Sequence, residues 1–279
     1  MPELPEVETI RARLAPRLTG RRFERVEIAD PRLTRPDPPE AIAAALEGER
    51  VRNIGRRGKY LIVEFESGRH LLIHLRMTGN VEHPARGGFE ADPYRRAVVR
   101  LDDGSDVAYR DVRRFGTWTL LEPGELAGYI AARRLGDEPL ERAFTTAALT
   151  GALTGRKAPI KAALLDQRAA AGLGNIYADE ALWRARIHPL RPAGTLTPEE
   201  IGRLRKGIRA ALEMGIARQG ATLRDYRDPE GTRGRMQDEF RVYGRAGGPC
   251  LRCGTPIEKT RAGGRGTWFC PFCQPLHPD

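Results

Sequence analysis

Cys250-Leu251-Arg252-Cys253 and Cys270-Pro271-Phe272-Cys273 hold all four cysteines of the 279-residue chain, with residues 254–269 between the pairs. Two short knuckles joined by a hairpin of this length set four thiolates tetrahedrally around zinc. Disulfide pairing would need an oxidising compartment, which no other feature of the sequence supports. Four protein ligands close the coordination sphere, so the expectation is one structural zinc ion that staples the end of the chain. The segment Glu258-Lys259-Thr260-Arg261-Ala262-Gly263-Gly264-Arg265-Gly266-Thr267 reads as a tip bearing cations. Such a tip fits either an ordinary solvated turn or a grip on phosphates.

Upstream of this tail the pattern is helical, with expected helices at 145–153, 160–167, 176–185 and 198–218. Thr197-Pro198-Glu199-Glu200 is a helix start: a capping residue, a proline in the first turn and two acids on the positive end of the dipole. The segment 135–140 reads as a linker. Before it, short runs of strand character cover 23–28, 60–65, 70–75, 97–101, 107–109 and 117–121. Ser67-Gly68 and Asp102-Asp103-Gly104-Ser105 punctuate them as hairpin turns, which favours a β-sandwich or barrel. Alanine and glutamate predict an interrupting helix at 39–46. The first element is a helix whose apolar stripe is Val7, Ile10, Leu14 and Leu18, with Pro5 tolerated in its first turn.

The net charge of +10 has 24 basic against 21 acidic residues in 1–135 and 23 against 16 in 136–279. A basic chain of this kind suits a polyanionic partner, because lysine and arginine gain affinity by releasing counterions condensed on phosphates. A composition that is 40% hydrophobic allows each of two modest domains a core and excludes a disordered tail. No stretch approaches the roughly 18 apolar residues of a membrane span, and the start is acidic where a secretory signal is basic. The expectation is a cytoplasmic protein. The start itself, Met1-Pro2-Glu3-Leu4-Pro5-Glu6, has a chemical reading: with Met1 trimmed, Pro2 is a terminal secondary amine. Its adduct with a carbonyl-level carbon is an iminium with no N–H proton to lose, hence a strong electron sink. Glu3 and Glu6, three residues apart, are expected on one helical face.

These motifs, taken with Gly58-Lys59-Tyr60-Leu61, His74-Leu75-Arg76-Met77-Thr78-Gly79, Asp111-Val112-Arg113-Arg114-Phe115-Gly116, Gly172-Leu173-Gly174-Asn175-Ile176-Tyr177-Ala178-Asp179-Glu180 and Val242-Tyr243-Gly244-Arg245, resemble the bacterial formamidopyrimidine-DNA glycosylase family. They fall in that family's order from the first residue to the zinc tail. The resemblance implies an α+β multidomain chain: an N-terminal catalytic β-sandwich with flanking helices at 1–133, a helix-two-turn-helix DNA-binding domain at 134–235, and a C-terminal zinc-finger hairpin at 236–279. It implies a bifunctional glycosylase and abasic-site lyase that removes oxidised purines and cleaves the strand by β,δ-elimination. The implied partner is double-stranded DNA containing oxidised bases or abasic sites, met by a monomer with no membrane and no nucleotide cofactor.

The resemblance also assigns residues. Pro2 matches the nucleophile that attacks the sugar C1′, Glu3 the proton donor and acceptor, Glu6 a second acid that sets the site, and Lys59 a lysine near the scissile phosphates. Asn175 and Arg265 match phosphate-gripping residues. Met77, Arg113 and Phe115 match the three residues that fill the void left by an everted base, and the adjoining Arg114 is grouped with them as a DNA-binding residue. Arg224 aligns near that base, and Tyr243 is a candidate phosphate ligand. Gln219-Gly220-Ala221-Thr222 departs from the family's more usual paired glycines. Two other readings share parts of this pattern: an endonuclease VIII-like enzyme for oxidised pyrimidines, and a non-catalytic DNA-binding relative. A zinc-containing RNA-binding factor is a third, poorly matched by the wedge residues. Leu4, Val7 and the complete Met77, Arg113 and Phe115 set favour the first family; the retention of Pro2, Glu3, Glu6 and Lys59 argues for catalysis.

Overall fold

The apolar stripe of Val7, Ile10, Leu14 and Leu18 repeats at helical spacing and needs a surface to bury it; helix α1 (Leu4–Leu18) supplies the stripe and two sheets supply the surface. The computed structural model describes residues 2–276. Contacts divide the chain into two units: one of residues up to Ala132 together with Arg218–Arg235, the other of Arg133–Ala217 together with the chain from Met236 onward.

The first unit continues through β1 (Phe23–Ile28), α2 (Pro39–Leu46), β2 (Val51–Arg57), β3 (Tyr60–Phe65), β4 (His70–His74), β5 (Gly79–Ala85), β6 (Arg95–Leu101), β7 (Asp106–Asp111), β8 (Thr117–Leu121) and α3 (Glu125–Ala132). The strands form two four-stranded antiparallel sheets, ordered β1-β6-β7-β5 and β2-β3-β4-β8. Phe23, Val26, Ile54, Leu61, Val63, Phe65, Ile73, Val81, Val99 and Trp118 meet the α1 stripe in one core, with Phe23 set edge-on to Phe65 at 5.4 Å. Helix α3 covers the outer face of the second sheet through Leu126, Tyr129 and Ile130 against Ile62, Leu72 and Leu121. The segment 218–235, grouped by sequence with the helices, packs here: Pro229 accepts the His83 N–H at the edge of β5.

Strands β2 and β5 and helix α3 do not stand out in the sequence. Val-Arg-Asn-Ile-Gly-Arg-Arg turns only Val51 and Ile54 fully inward, and a bulge between Val51 and Asn53 breaks the two-residue period. β5 contains Gly79, Asn80 and Pro84, all poor strand formers. The second unit holds α4 (Thr146–Leu153), α5 (Ile160–Leu165), α6 (Asn175–Ala185), α7 (Pro198–Ala217) and a hairpin of β9 (Glu258–Ala262) with β10 (Arg265–Phe269). Among the described residues no helix is long and apolar enough to cross a membrane.

Candidate active site and nucleic-acid interface

Pro2 is buried at the head of α1, and Glu3 and Glu6 are each only 2% exposed. Glu3 is not on the helical face that its spacing suggested: its backbone is extended (φ −107°, ψ −172°) and it stands outside the helix as the N-cap. Glu6 Oε2 accepts the Glu3 N–H at 2.8 Å, and Glu6 Oε1 accepts the Ala221 N–H at 2.7 Å. One carboxylate therefore ties the helix start to the 218–235 segment. That segment reaches Glu6 through a left-handed pair, Gln219 (φ 59°) and Gly220 (φ 82°). A Cβ on Gly220 would lie 2.8 Å from Glu6 Cγ, so the glycine is required by space as well as by φ. Gln219 keeps the conformation that a glycine would favour, without being one.

Lys59 follows Gly58 (φ 57°) in the tight β2–β3 turn and is 8% exposed. His74, opposite Tyr60 in the neighbouring strand, is pushed down to about 3 by burial, with the charges of Arg76 and Lys59 adding to the effect. It is a neutral imidazole whose Nδ1 accepts the Arg76 N–H at 3.0 Å. The same unit carries Met77, Arg113 and Phe115, the residues expected from the resemblance to fill the void of an everted base, on two turns. Met77 is half-buried on the turn from Leu75 to Gly79, which is closed by Gly79 N–H donating to Leu75 O. Arg113 and Phe115 are exposed on the following turn, with the Arg113 guanidinium 4.8 Å from the Phe115 ring centre. Phe115 is 53% exposed. Arg114, grouped with the DNA contacts from sequence, spends its guanidinium on Asp30, donating Nη2–H to Oδ1 at 2.7 Å. This pair holds the Asp30 carboxyl below its ordinary range. Arg224 is exposed and lines a cavity of about 260 Å³ with Asn80, Arg110, Asp225 and Arg227.

In the second unit, Gly172 (φ 85°) and the N-cap Gly174 turn the chain into α6, so that Asn175 is its first residue. Asn175 Nδ2 donates to Gly266 O at 3.0 Å, which links this turn to the hairpin strand that starts at Arg265. Lys161, fully buried, donates to the same carbonyl at 2.8 Å, to Thr267 Oγ1 at 2.8 Å and to Asp179 Oδ2 at 3.0 Å. Burial pushes Asp179 up to about 7 against the pull of the Lys161 ammonium. A buried pair of this kind is weak as a source of stability, and its value here is geometric. Glu180, also fully buried, accepts the N–H groups of Arg241, Val242 and Tyr243 at 2.9–3.1 Å. Tyr243 is half-buried and its ring lies 4.5 Å from that of Trp268, while Tyr177 is fully buried. Arg265 is exposed on the hairpin.

The sulfurs of Cys250, Cys253, Cys270 and Cys273 lie within 4.8 Å of one another. Zn–S bonds of about 2.3 Å place sulfurs about 3.8 Å apart in a tetrahedron, so the cluster suits one ion. Trp183 Nε1–H donates to Cys250 Sγ and Cys273 N–H to Cys270 Sγ, both at 3.4 Å, the kind of contact that stabilises thiolate. The four cysteines fit one structural zinc.

Three family models cover nearly the whole chain: Formamidopyrimidine-DNA glycosylase N-terminal domain at residues 1–118, Formamidopyrimidine-DNA glycosylase H2TH domain at 135–227, and Zinc finger found in FPG and IleRS at 247–276. The chain belongs to the formamidopyrimidine-DNA glycosylase family. It is 51% identical to the formamidopyrimidine-DNA glycosylase of Symbiobacterium thermophilum over 279 residues, covering 99% of this chain and 90% of that one. To the Roseiflexus sp. relative it is 48% identical, covering 98% and 100%. Among solved structures, a Lactococcus lactis FPG variant in complex with a Fapy-dG containing DNA superposes with a TM-score of 0.91 at 36% identity, covering 98% and 100%. The Thermus thermophilus MutM (FPG) protein does so with 0.88 at 43% identity, covering 99% and 100%. The family fold of N-terminal domain, H2TH helices and zinc finger is thus the fold expected from the motifs. Sequence reading passed over Thr78, Asp111, Lys161, Asp179 and Glu180 as actors. Four of them lie inside the quoted family motifs, and that is the only signal in the sequence that could have found them.

Proposed function

We propose that this chain is a base-excision repair enzyme that removes oxidised purines from duplex DNA and then cleaves the abasic strand. The observation that carries the reading is the burial of Pro2, Glu3 and Glu6 together at the head of α1, which sets a candidate amine nucleophile beside two carboxylates. Met1 lies outside the described residues; its removal is part of the proposal. The freed Pro2 nitrogen attacks C1′ as the glycosidic bond breaks and the base departs with a proton. Glu3 supplies and accepts protons as the deoxyribose ring opens. The iminium acidifies the C2′ proton, whose loss expels the 3′ phosphate; a second elimination expels the 5′ phosphate. Lys59 offsets the charge that develops on these phosphates. The solved relatives in complex with Fapy-dG and carbocyclic 8-oxo-G DNA support an oxidised purine as substrate. The site of action is the bacterial cytoplasm, on the chromosome.

Borohydride trapping on duplex DNA containing 8-oxoguanine opposite cytosine, with mass mapping of the adduct, tests this. An adduct on Pro2 is expected; one on an internal lysine would falsify the nucleophile. A duplex carrying an oxidised pyrimidine, run in parallel, separates this reading from the endonuclease VIII-like one.

Asn175 and Arg265 act through phosphates in this scheme, with Tyr243 and Arg224 as further contacts. Arg265→Ala is expected to weaken binding to every lesion duplex alike and to lower the salt dependence by about one counterion. An unchanged salt slope in titrations from low to moderate salt would remove Arg265 from the contact set.

Arg113 presents donors and no acceptor, which suits the pairing edge of cytosine, with its two acceptors N3 and O2 beside the amino group, better than that of adenine, whose amino group has only N1 beside it. Arg113→Ala is therefore expected to slow excision opposite cytosine and to narrow the cytosine-to-adenine discrimination, read as the ratio of single-turnover rates. A wild-type ratio in the variant assigns opposite-base choice elsewhere.

A further inference from the structure

Both turns that carry the wedge residues converge on one carboxylate. Asp111, at the end of β7, is 1% exposed. Its Oδ2 accepts the Gly116 N–H at 2.7 Å; its Oδ1 accepts the Arg113 N–H at 3.2 Å and also the Thr78 hydroxyl. Thr78 Oγ1 in turn accepts the Arg113 N–H at 2.9 Å. The backbone beneath is anchored on both sides: Asp111 N–H donates to Tyr94 O, and Arg96 Nε–H donates to Asp111 O, each at 2.9 Å.

An aspartate closing its own loop needs only the Gly116 and Arg113 amides. Thr78 is different, because it belongs to the other turn, immediately after Met77. Beyond the backbone pairing of Gly79 with Asp111, its hydroxyl adds a side-chain cross-link between the strand end that bears Met77 and the loop that bears Arg113 and Phe115. The space around the cross-link is closed. A Cβ on Gly116 would lie 1.7 Å from Tyr109 Oη, and one on Gly79 would lie 2.5 Å from the same atom. Each turn also holds one non-glycine residue in the left-handed region, Arg76 at φ 53° and Arg114 at φ 59°, a conformation that persists only where neighbouring bonds enforce it.

We propose that Thr78 and Asp111 are positioning residues that clasp the two turns together and so set Met77, Arg113 and Phe115 at one spacing before DNA arrives. The clasp rests on the proposed wedge role of those three residues. A wedge has to enter the duplex as a unit while the base is drawn out; preset side chains lose less freedom on insertion than side chains on independent loops. The clasp therefore acts on base extraction, a step that a pre-made abasic site does not require.

The test compares Thr78→Val, which keeps the shape and removes the hydroxyl, with Thr78→Ser, which keeps the hydroxyl, and with Phe115→Ala as a direct wedge variant. Single-turnover rates are measured on an 8-oxoguanine duplex and on the same duplex with a pre-made abasic site, and Arg113 amide exchange is followed in the free protein. Thr78→Val is expected to slow lesion excision about tenfold, the size of effect that losing a hydrogen bond to a charged group gives. Cleavage at the abasic site should stay within about twofold, the Arg113 amide should lose protection, and Thr78→Ser should restore both. Equal slowing of both substrates by Thr78→Val overturns the clasp in favour of a merely structural bond. So does wild-type excision by Thr78→Val while Phe115→Ala is slow on the lesion alone. If Phe115→Ala damages both substrates equally, the wedge reading itself fails and takes the clasp with it.

Discussion

A residue left uncleaved ahead of Pro2 is expected to abolish both base excision and strand cleavage, because it converts the secondary amine into an amide whose lone pair is delocalised into the carbonyl and cannot attack C1′. Pro2→Gly retains an amine, now primary, and is expected to keep part of the activity. Glu3→Gln separates chemistry from folding. Glutamine still offers an oxygen at the N-cap position, so the start of α1 is expected to survive, while the proposed proton donor and acceptor is lost. Lesion-duplex binding should remain at the wild-type level and excision should fall by about 10²–10⁴-fold, the usual contribution of a general acid–base group. Fluorescence anisotropy and single-turnover kinetics on one preparation decide it; a loss of binding that matches the loss of rate would make Glu3 structural. Glu6→Gln behaves differently. Both Glu6 oxygens accept backbone N–H groups, from Glu3 and from Ala221, and an amide nitrogen would face one of those donors. That variant should loosen the 218–235 segment as well as slow the chemistry.

Removing zinc with a chelator, or replacing Cys253 by serine, is expected to collapse the hairpin while leaving the first unit folded. Two five-residue strands are too small to stand alone, and the apolar cluster around them, Trp183, Val242 and Ile257, is completed by the cysteines themselves. Zinc contributes about 10–16 kcal/mol to folding in isolated finger peptides, far more than this cluster can replace. Loss of the hairpin removes Arg265 from its place and takes the Gly266 carbonyl away from both Lys161 and Asn175. A hydrogen bond to a charged group is worth about 1.5–3 kcal/mol within a protein, and a lost phosphate contact is taken to be of that order. The expected result is DNA binding weakened by well over about tenfold, with the reactivity of Pro2 toward a small aldehyde retained. Metal analysis that finds no zinc, or full affinity after chelation, would overturn the assignment.

What was legible before folding is local. Four cysteines in two pairs state a metal site outright, because residues three apart in a knuckle already point at one ion. The α1 stripe, the 198–217 helix and most strands follow from periodicity and turn residues, and the motif order identifies the family. The sequence also names Asn175, Arg265 and the wedge residues, although only through resemblance. What the tertiary structure alone decided is which polar groups face one another. Glu6 meets Ala221 across 215 positions, and Lys161 meets Gly266 across 105. Arg114 is drawn to Asp30 across 84, and Thr78 to Asp111 across 33. Periodicity reports only which face of an element turns inward, and it carries no information about distant partners. A buried carboxylate or ammonium must still find donors or acceptors at hydrogen-bond distance, and those partners exist only once the sheets and helices have been packed.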